Sequence, residues 1–266
     1  MVEAKKGEDK ANLSGIPSFY GRNLFLWILP LSFLFSIWEF VVAIGIVPSN
    51  LCPPPSEIFK SLLFRLGSSE FIAAILRSFV NISLGILLAL VTATPLAILA
   101  GLRMGLDSSV TPLLVLVGGL PDLAILPLAI LWFGPETSAI LMATLCAFFP
   151  IFFTVRAGVR EIAPDFFQVS MIFHPGKFNE LREVILPAIT PHLVTGLRLS
   201  LDFVWEVVLA VEIVVRVAGI GSFINISAEA GAIHDAFAGI MAIGLLSIAL
   251  DRLLFGFLEN RVRKWQ

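Results

Sequence analysis

FIAAILRSFVNISLGILLALVTATPLAILAGL, residues 71–102, carries a single formal charge, Arg77, across 32 positions. At a rise of about 1.5 Å per residue this stretch exceeds the roughly 30 Å of a bilayer's hydrocarbon. It therefore reads as a tilted or projecting membrane helix, kinked at Thr94-Pro95. Working outward, five further apolar runs fall at about 24–47, 110–133, 137–155, 189–215 and 237–258. The composition agrees: 58% hydrophobic and 14% charged, with a mean hydropathy of +0.94. Soluble domains hold about 45–50% apolar and about 25% charged residues, so no water-facing fold could hide this much apolar surface. An all-α membrane protein of about six spans follows, with one transmembrane domain over 24–266 behind a polar segment, 1–23.

The run at 24–47 is far longer than a signal peptide's apolar core of about 7–15 residues, and no small-residue cleavage site follows it. Four prolines within 48–55 break the helix into an extended segment outside the bilayer. Residues 57–66 then place Ile58, Phe59, Leu62 and Leu63 at helical spacing, an amphipathic helix on the outer surface. Basic residues fix the orientation. Lys5, Lys6, Lys10, Arg22, Arg103, Arg156, Arg160, Lys177, Arg182, Arg261, Arg263 and Lys264 all fall on one side if both termini are cytoplasmic, against Lys60, Arg65 and Arg216 outside. A net charge of −2 gives nucleic acid no electrostatic handle, and two cysteines exclude a disulfide framework. Cys146 reads as a packing residue.

The one long inward loop, 156–187, is patterned. Pro164 suits a first helical turn, Asp165 favours the positive end of a helix, and Phe166 and Phe167 expose aromatic bulk. His174-Pro175-Gly176 breaks the chain, with Gly176 free to take positive φ. A second short helix is expected from Lys177 to Leu186, ending at Pro187. Two interfacial helices on lipid would account for this pattern, as would a docking knob for a cytoplasmic partner.

In this loop the sequence resembles the inner-membrane permeases of ABC importers of the nitrate/sulfonate/taurine type. The register of their hallmark survives as Gln168-Val169-Ser170, His174 and Leu186-Pro187, without its Glu-Ala-Ala triplet or its Gly. The segments PLAILWFG (127–134) and FFPI (148–151) also match, as do Leu197-Arg198-Leu199, Trp205, Glu212, Gly219-Ile220-Gly221 and the end from Asp251 to Trp265. The resemblance covers about 45–265. It implies a permease of the bacterial inner membrane that is not itself an enzyme. Two ABC ATPase subunits would carry the ATP and Mg, a second permease copy would complete the path (a homodimer before a heterodimer), and an extracytoplasmic solute-binding protein would deliver a small solute. Residues 165–176 would dock the ATPase, with Leu186 and Pro187 closing the motif.

Consistent with this, the chain has no G-x-x-x-x-G-K-[ST] phosphate loop, no nucleophile elbow, and three histidines without metal-ligand spacing. No cofactor is expected on it. Ionisable residues inside spans cost about 2.5–3.5 kcal/mol each on insertion scales, so they mark candidate path positions. These are Asp122, Arg77, Asp202, Glu206, Trp205 beside them, and Glu212. Structural pairing between helices, including Arg198 with Asp202, would explain the same residues equally well. Three carboxylates against few cations favour a neutral or cationic nitrogen-containing solute over a simple oxyanion. The rival class is an ion-coupled secondary transporter using Asp202 and Glu206 as a proton site; the inverted repeats common in such proteins are absent from the sequence.

Overall fold

The computed structural model describes residues 24–173 and 176–256, and among these every regular element is helical. The chain divides into two compact units at Glu57/Ile58. In the first, α1 (Leu24–Ala43) ends at a turn closed by Gly45 with φ +77°. Glu39 accepts hydrogen bonds from the Ser56 N–H (3.1 Å) and Oγ (2.7 Å), capping the start of α2 (Pro55–Arg65). The expected first span is thus shorter than 24–47, because Gly45 and the prolines stop it early.

The second unit holds α3 (Ser69–Leu102), α4 (Met104–Gly118), α5 (Asp122–Phe133), α6 (Pro135–Arg160), α7 (Pro164–Phe173), α8 (Lys177–Glu180), α9 (Leu186–Val215), α10 (Ile220–Glu229) and α11 (Ile233–Leu250). Among the described residues, three helices are long and apolar enough to cross a membrane: Ser69–Leu102, Pro135–Arg160 and Ile233–Leu253. Two bent pairs raise the number to five: α4 with α5, bent by 95°, and Lys177–Val215 with α10, bent by 48°.

The first bent pair corrects the expectation of one continuous span at 110–133. Apolarity carries no information about direction, and Gly119-Leu120-Pro121 breaks the helix: Pro121 (φ −60°, ψ 120°) is extended and its ring disfavours a helical Leu120. The second correction lies at 177–187. No helix ends at Pro187; a π turn at Leu181–Ile185 joins α8 to α9 without a break. The Leu186 N–H reaches back to the Leu181 carbonyl, and this wider winding absorbs the N–H that proline lacks. Likewise α11 starts at Ile233 and not at 237.

The core follows from small residues. On α3, Ser78, Ile82, Gly85, Ala89, Ala93, Ala97 and Ala100 recur every three or four positions and are buried, largely against α6. Small side chains let two membrane helices approach closely, since lipid offers apolar groups no reason to leave it. A Cβ at Gly85 would collide with Ala143 Cβ and lie 3.1 Å from backbone atoms of Ala143 and Thr144. Gly85→Val should therefore part the two helices, costing about 1–3 kcal/mol or more and lowering the melting temperature in detergent. Gly244→Ala, where nothing lies within 4 Å, is the matched control and should leave it unchanged. Equal melting of both variants would remove this account of the packing.

The close approaches also give directions. Gly85 meets Ala143 and Gly101 meets Val159, so α3 and α6 run parallel. The α4–α5 segment between them must return the chain to the end where α3 began. Gly158 meets His192 and Ser200 Oγ donates to the Ala147 carbonyl at 3.1 Å, so α9 runs antiparallel to α6. One end of the unit therefore gathers Gly101, Arg156, His192 and α7; the opposite end gathers Ser78, Glu212 and α10.

Candidate functional site

At the first end, α6 stops at Arg160 and three residues lead into α7. Pro164 opens α7 and Asp165 sits in its first turn, as their chemistry demands. α7 rests on α8 and the π turn. Phe166 is 62% exposed and Phe178 on α8 is 72% exposed, with Asp165, Gln168 and Val169 exposed nearby in sequence. Phe167 corrects the expectation of a doubly aromatic surface: it is half-buried and packs on the core, since adjacent helical residues point about 100° apart. Gly176 takes φ +136°, the conformation its turn was expected to need. His174 and Pro175 lie outside the described residues, and of Ser170 only the helical backbone is described. Leu186 and Pro187 are exposed at the start of α9.

Midway along the unit, α9 turns an uncovered face outward. Leu199, Asp202, Phe203 and Glu206 are exposed on it, while Val204, Trp205, Val207 and Val208 point into the core. The Trp205 indole N–H is buried without a hydrogen-bond partner among the described residues. Asp122, the first residue of α5, and Glu206 on α9 both act electrostatically on the Cys146 thiol of α6. The chain between α4 and α5, Gly119 to Pro121, is exposed at this same depth, where Gly118 approaches the Phe149 ring. The Gly119 and Leu120 N–H groups still donate to the Val115 and Val117 carbonyls, at 3.0 and 3.1 Å, so the chain keeps helical hydrogen bonds up to the break.

Glu212 stands apart from that face. It is fully buried at the opposite end, where its carboxylate accepts from Ser78 Oγ (2.7 and 2.8 Å), Asn81 Nδ2 (3.3 Å) and the Gly221 N–H (3.0 Å). Ser78 Oγ in turn accepts from the Ile220 N–H at 2.8 Å. The carboxylate thereby caps α10 across the left-handed turn at Arg216 (φ 59°). Arg77 is half-exposed and pairs with Glu136 at 3.5 Å, and its field reaches Glu212. Arg198 pairs with Asp251 at 2.9 Å. On α2, Arg65 binds Asp235, and that hydrogen bond raises the guanidinium further above its ordinary value.

Sequence reasoning passed over one cluster. Asp107, on α4, accepts from Arg156 and Arg160 at the end of α6 and from Thr111 Oγ1 at 2.6 Å. The signal available was a lone acidic residue in an apolar segment, facing two arginines spaced four apart.

Comparison with known proteins adds the last observation. Residues 85–264 match the family described as binding-protein-dependent transport system inner membrane component. The chain is 29% identical to the putative aliphatic sulfonates transport permease protein SsuC of Bacillus subtilis (strain 168), over all of this chain and 97% of that protein. It is 31% identical to the taurine transport system permease protein TauC of Escherichia coli (strain K12), over 92% of this chain and 90% of that one. The nitrate import permease protein NrtB of Leptolyngbya laminosa is 28% identical over 68% of this chain and 65% of its own length.

Proposed function

The chain belongs to the binding-protein-dependent inner-membrane components, the permeases of ABC importers of the nitrate, sulfonate and taurine type, and from that membership we propose that it forms half of a solute path driven by a separate ATPase. It is a multi-pass membrane protein of that transport class. In this reading α1, α3, the broken α4–α5 pair, α6, α9 and α11 make six crossings with both termini cytoplasmic. α7 is then the coupling helix, seated on the ATPase through Phe166 and its exposed neighbours, and an outer binding protein delivers the solute. ATP and Mg bind the partner, not this chain.

The observation that carries the path is the uncovered face of α9 beside the break at Gly119–Pro121. Asp202 and Glu206 lie exposed there one helical turn apart, and both Asp122 and Glu206 act on Cys146 of α6; such charge is costly in lipid. A second copy of the chain, facing the first across water, supplies what is missing. Cysteine at Phe203 should therefore cross-link two copies in native membranes, while cysteine at Leu253, 75% exposed in the π turn that follows α11, should not. Cross-links at Leu253 with none at Phe203, Leu199 or Glu206 would move the path elsewhere.

The same three carboxylates favour a solute carrying an ammonium or neutral nitrogen group. Taurine, the solute in one relative's name, has an ammonium; nitrate has none. Saturable ATP-driven uptake of nitrate in proteoliposomes, undiminished at a pH where carboxylates are ionised, would sink this part of the reading.

A further inference from the structure

Of the fifteen residues of α4, only Asp107 is fully buried, at 6% exposure. Val110 and Leu114 lean on the core, and the rest of the helix is open on most of its surface. A helix half-span is thus held near its start by a charge. Arg156 grips Asp107 through Nε on one oxygen and Nη2 on the other (2.8 Å), Arg160 adds Nη2, and Thr111 adds its hydroxyl. Four donors on one shielded carboxylate, two of them from a planar guanidinium fork, fix direction as well as distance. Exposed single pairs do not.

Both arginines stand on the last turns of α6, and only Glu161, Ile162 and Ala163 separate Arg160 from α7. In the other direction α4 runs, with Pro112 inside it, to the break at 119–121, and beyond the 95° bend Asp122 opens α5. We propose that the Asp107–Arg156–Arg160 cluster is the positioning link through which a push on α7 reorients the broken span, and with it Asp122. This rests on the reading of α7 as the docking helix. Such a link needs an element with two arrangements that both sites bias, and on this proposal the α4–α5 bend at Gly119 is that element.

The test uses the assembled complex in lipid nanodiscs, with Leu120→Cys as the single thiol after Cys52→Ser and Cys146→Ala. Its labelling rate by a charged methanethiosulfonate is measured with and without Mg-ATP and vanadate, so no transported solute is needed. The link predicts a nucleotide-dependent change of roughly tenfold, the usual scale of coupling between sites. Asp107→Asn should abolish that change while a Phe166→Cys cross-link to the ATPase still forms. The exchange Asp107→Arg with Arg156→Asp should restore it, which a merely structural role would not require. A full nucleotide response in Asp107→Asn overturns the proposal, as does a parent complex that binds ATPase and shows no response at Leu120. Loss of ATPase binding in the parent would instead sink the docking reading beneath it. Should Asp107→Asn not accumulate, the exchange variant decides alone, by response or by its absence.

Discussion

Phe166→Asp is expected to abolish association with the ATPase while leaving the permease folded and inserted. Phe166 touches little of its own chain, so a carboxylate there meets only water until a partner arrives. In a closed interface the same carboxylate would be desolvated against apolar surface, at several kcal/mol, enough to lower affinity by about a thousandfold. Phe167→Asp is the contrasting variant. Its ring packs on the core, so it should fail in detergent melting before any partner is added. Co-purification of each variant with the ATPase, set beside its melting curve, reads both effects. An ATPase that still binds Phe166→Asp at wild-type strength would remove α7 as the docking surface.

The second large effect is expected at Glu212. Replacing it with Ala strips the Gly221 N–H and the Asn81 amide of a buried acceptor and opens a cavity against Gly219 and Gly221. Unmet buried donors cost about 1–3 kcal/mol each, partly offset because a buried charge is also removed, so a net loss of about 2–4 kcal/mol is expected. Because the carboxylate caps α10, the loss should be local. Amide exchange at Gly219–Ser222 should accelerate strongly while the α3–α6 pair stays protected. Glu212→Gln keeps the shape but turns an amide N–H₂ toward other donors, so it should recover only part of the protection. Wild-type exchange in Glu212→Ala would mean the turn is held by packing alone.

The membrane class and the short helix opening at Pro164 were legible because each rests on local chemistry. Apolar runs report spans whatever their packing, and Pro164-Asp165 marks a helix start on any scaffold. What escaped was direction and partnership. Phe166 and Phe167 are the same residue type in sequence, and only packing tells them apart. Gly119-Leu120-Pro121 signals a break, but a break within an apolar run looks like a kink until its angle is known. Pro187 reads as a stop because the π turn ending two residues earlier has no sequence mark as plain as proline's. Glu212 was grouped with Asp202 and Glu206 on composition. Its partners Ser78 and Asn81 lie more than a hundred residues away, so its role in capping α10 was invisible along the chain. The pairing of Arg198 with Asp251, 53 residues off, escaped for the same reason.

If a separate ATPase moves this permease, it should stay with the chain through affinity purification of the tagged protein from its native membrane. The expected result is an ABC ATPase in about one copy per permease chain, released by Phe166→Asp. A chain that purifies without any ATPase, and that takes up solute in proteoliposomes on a proton gradient alone, would contradict it.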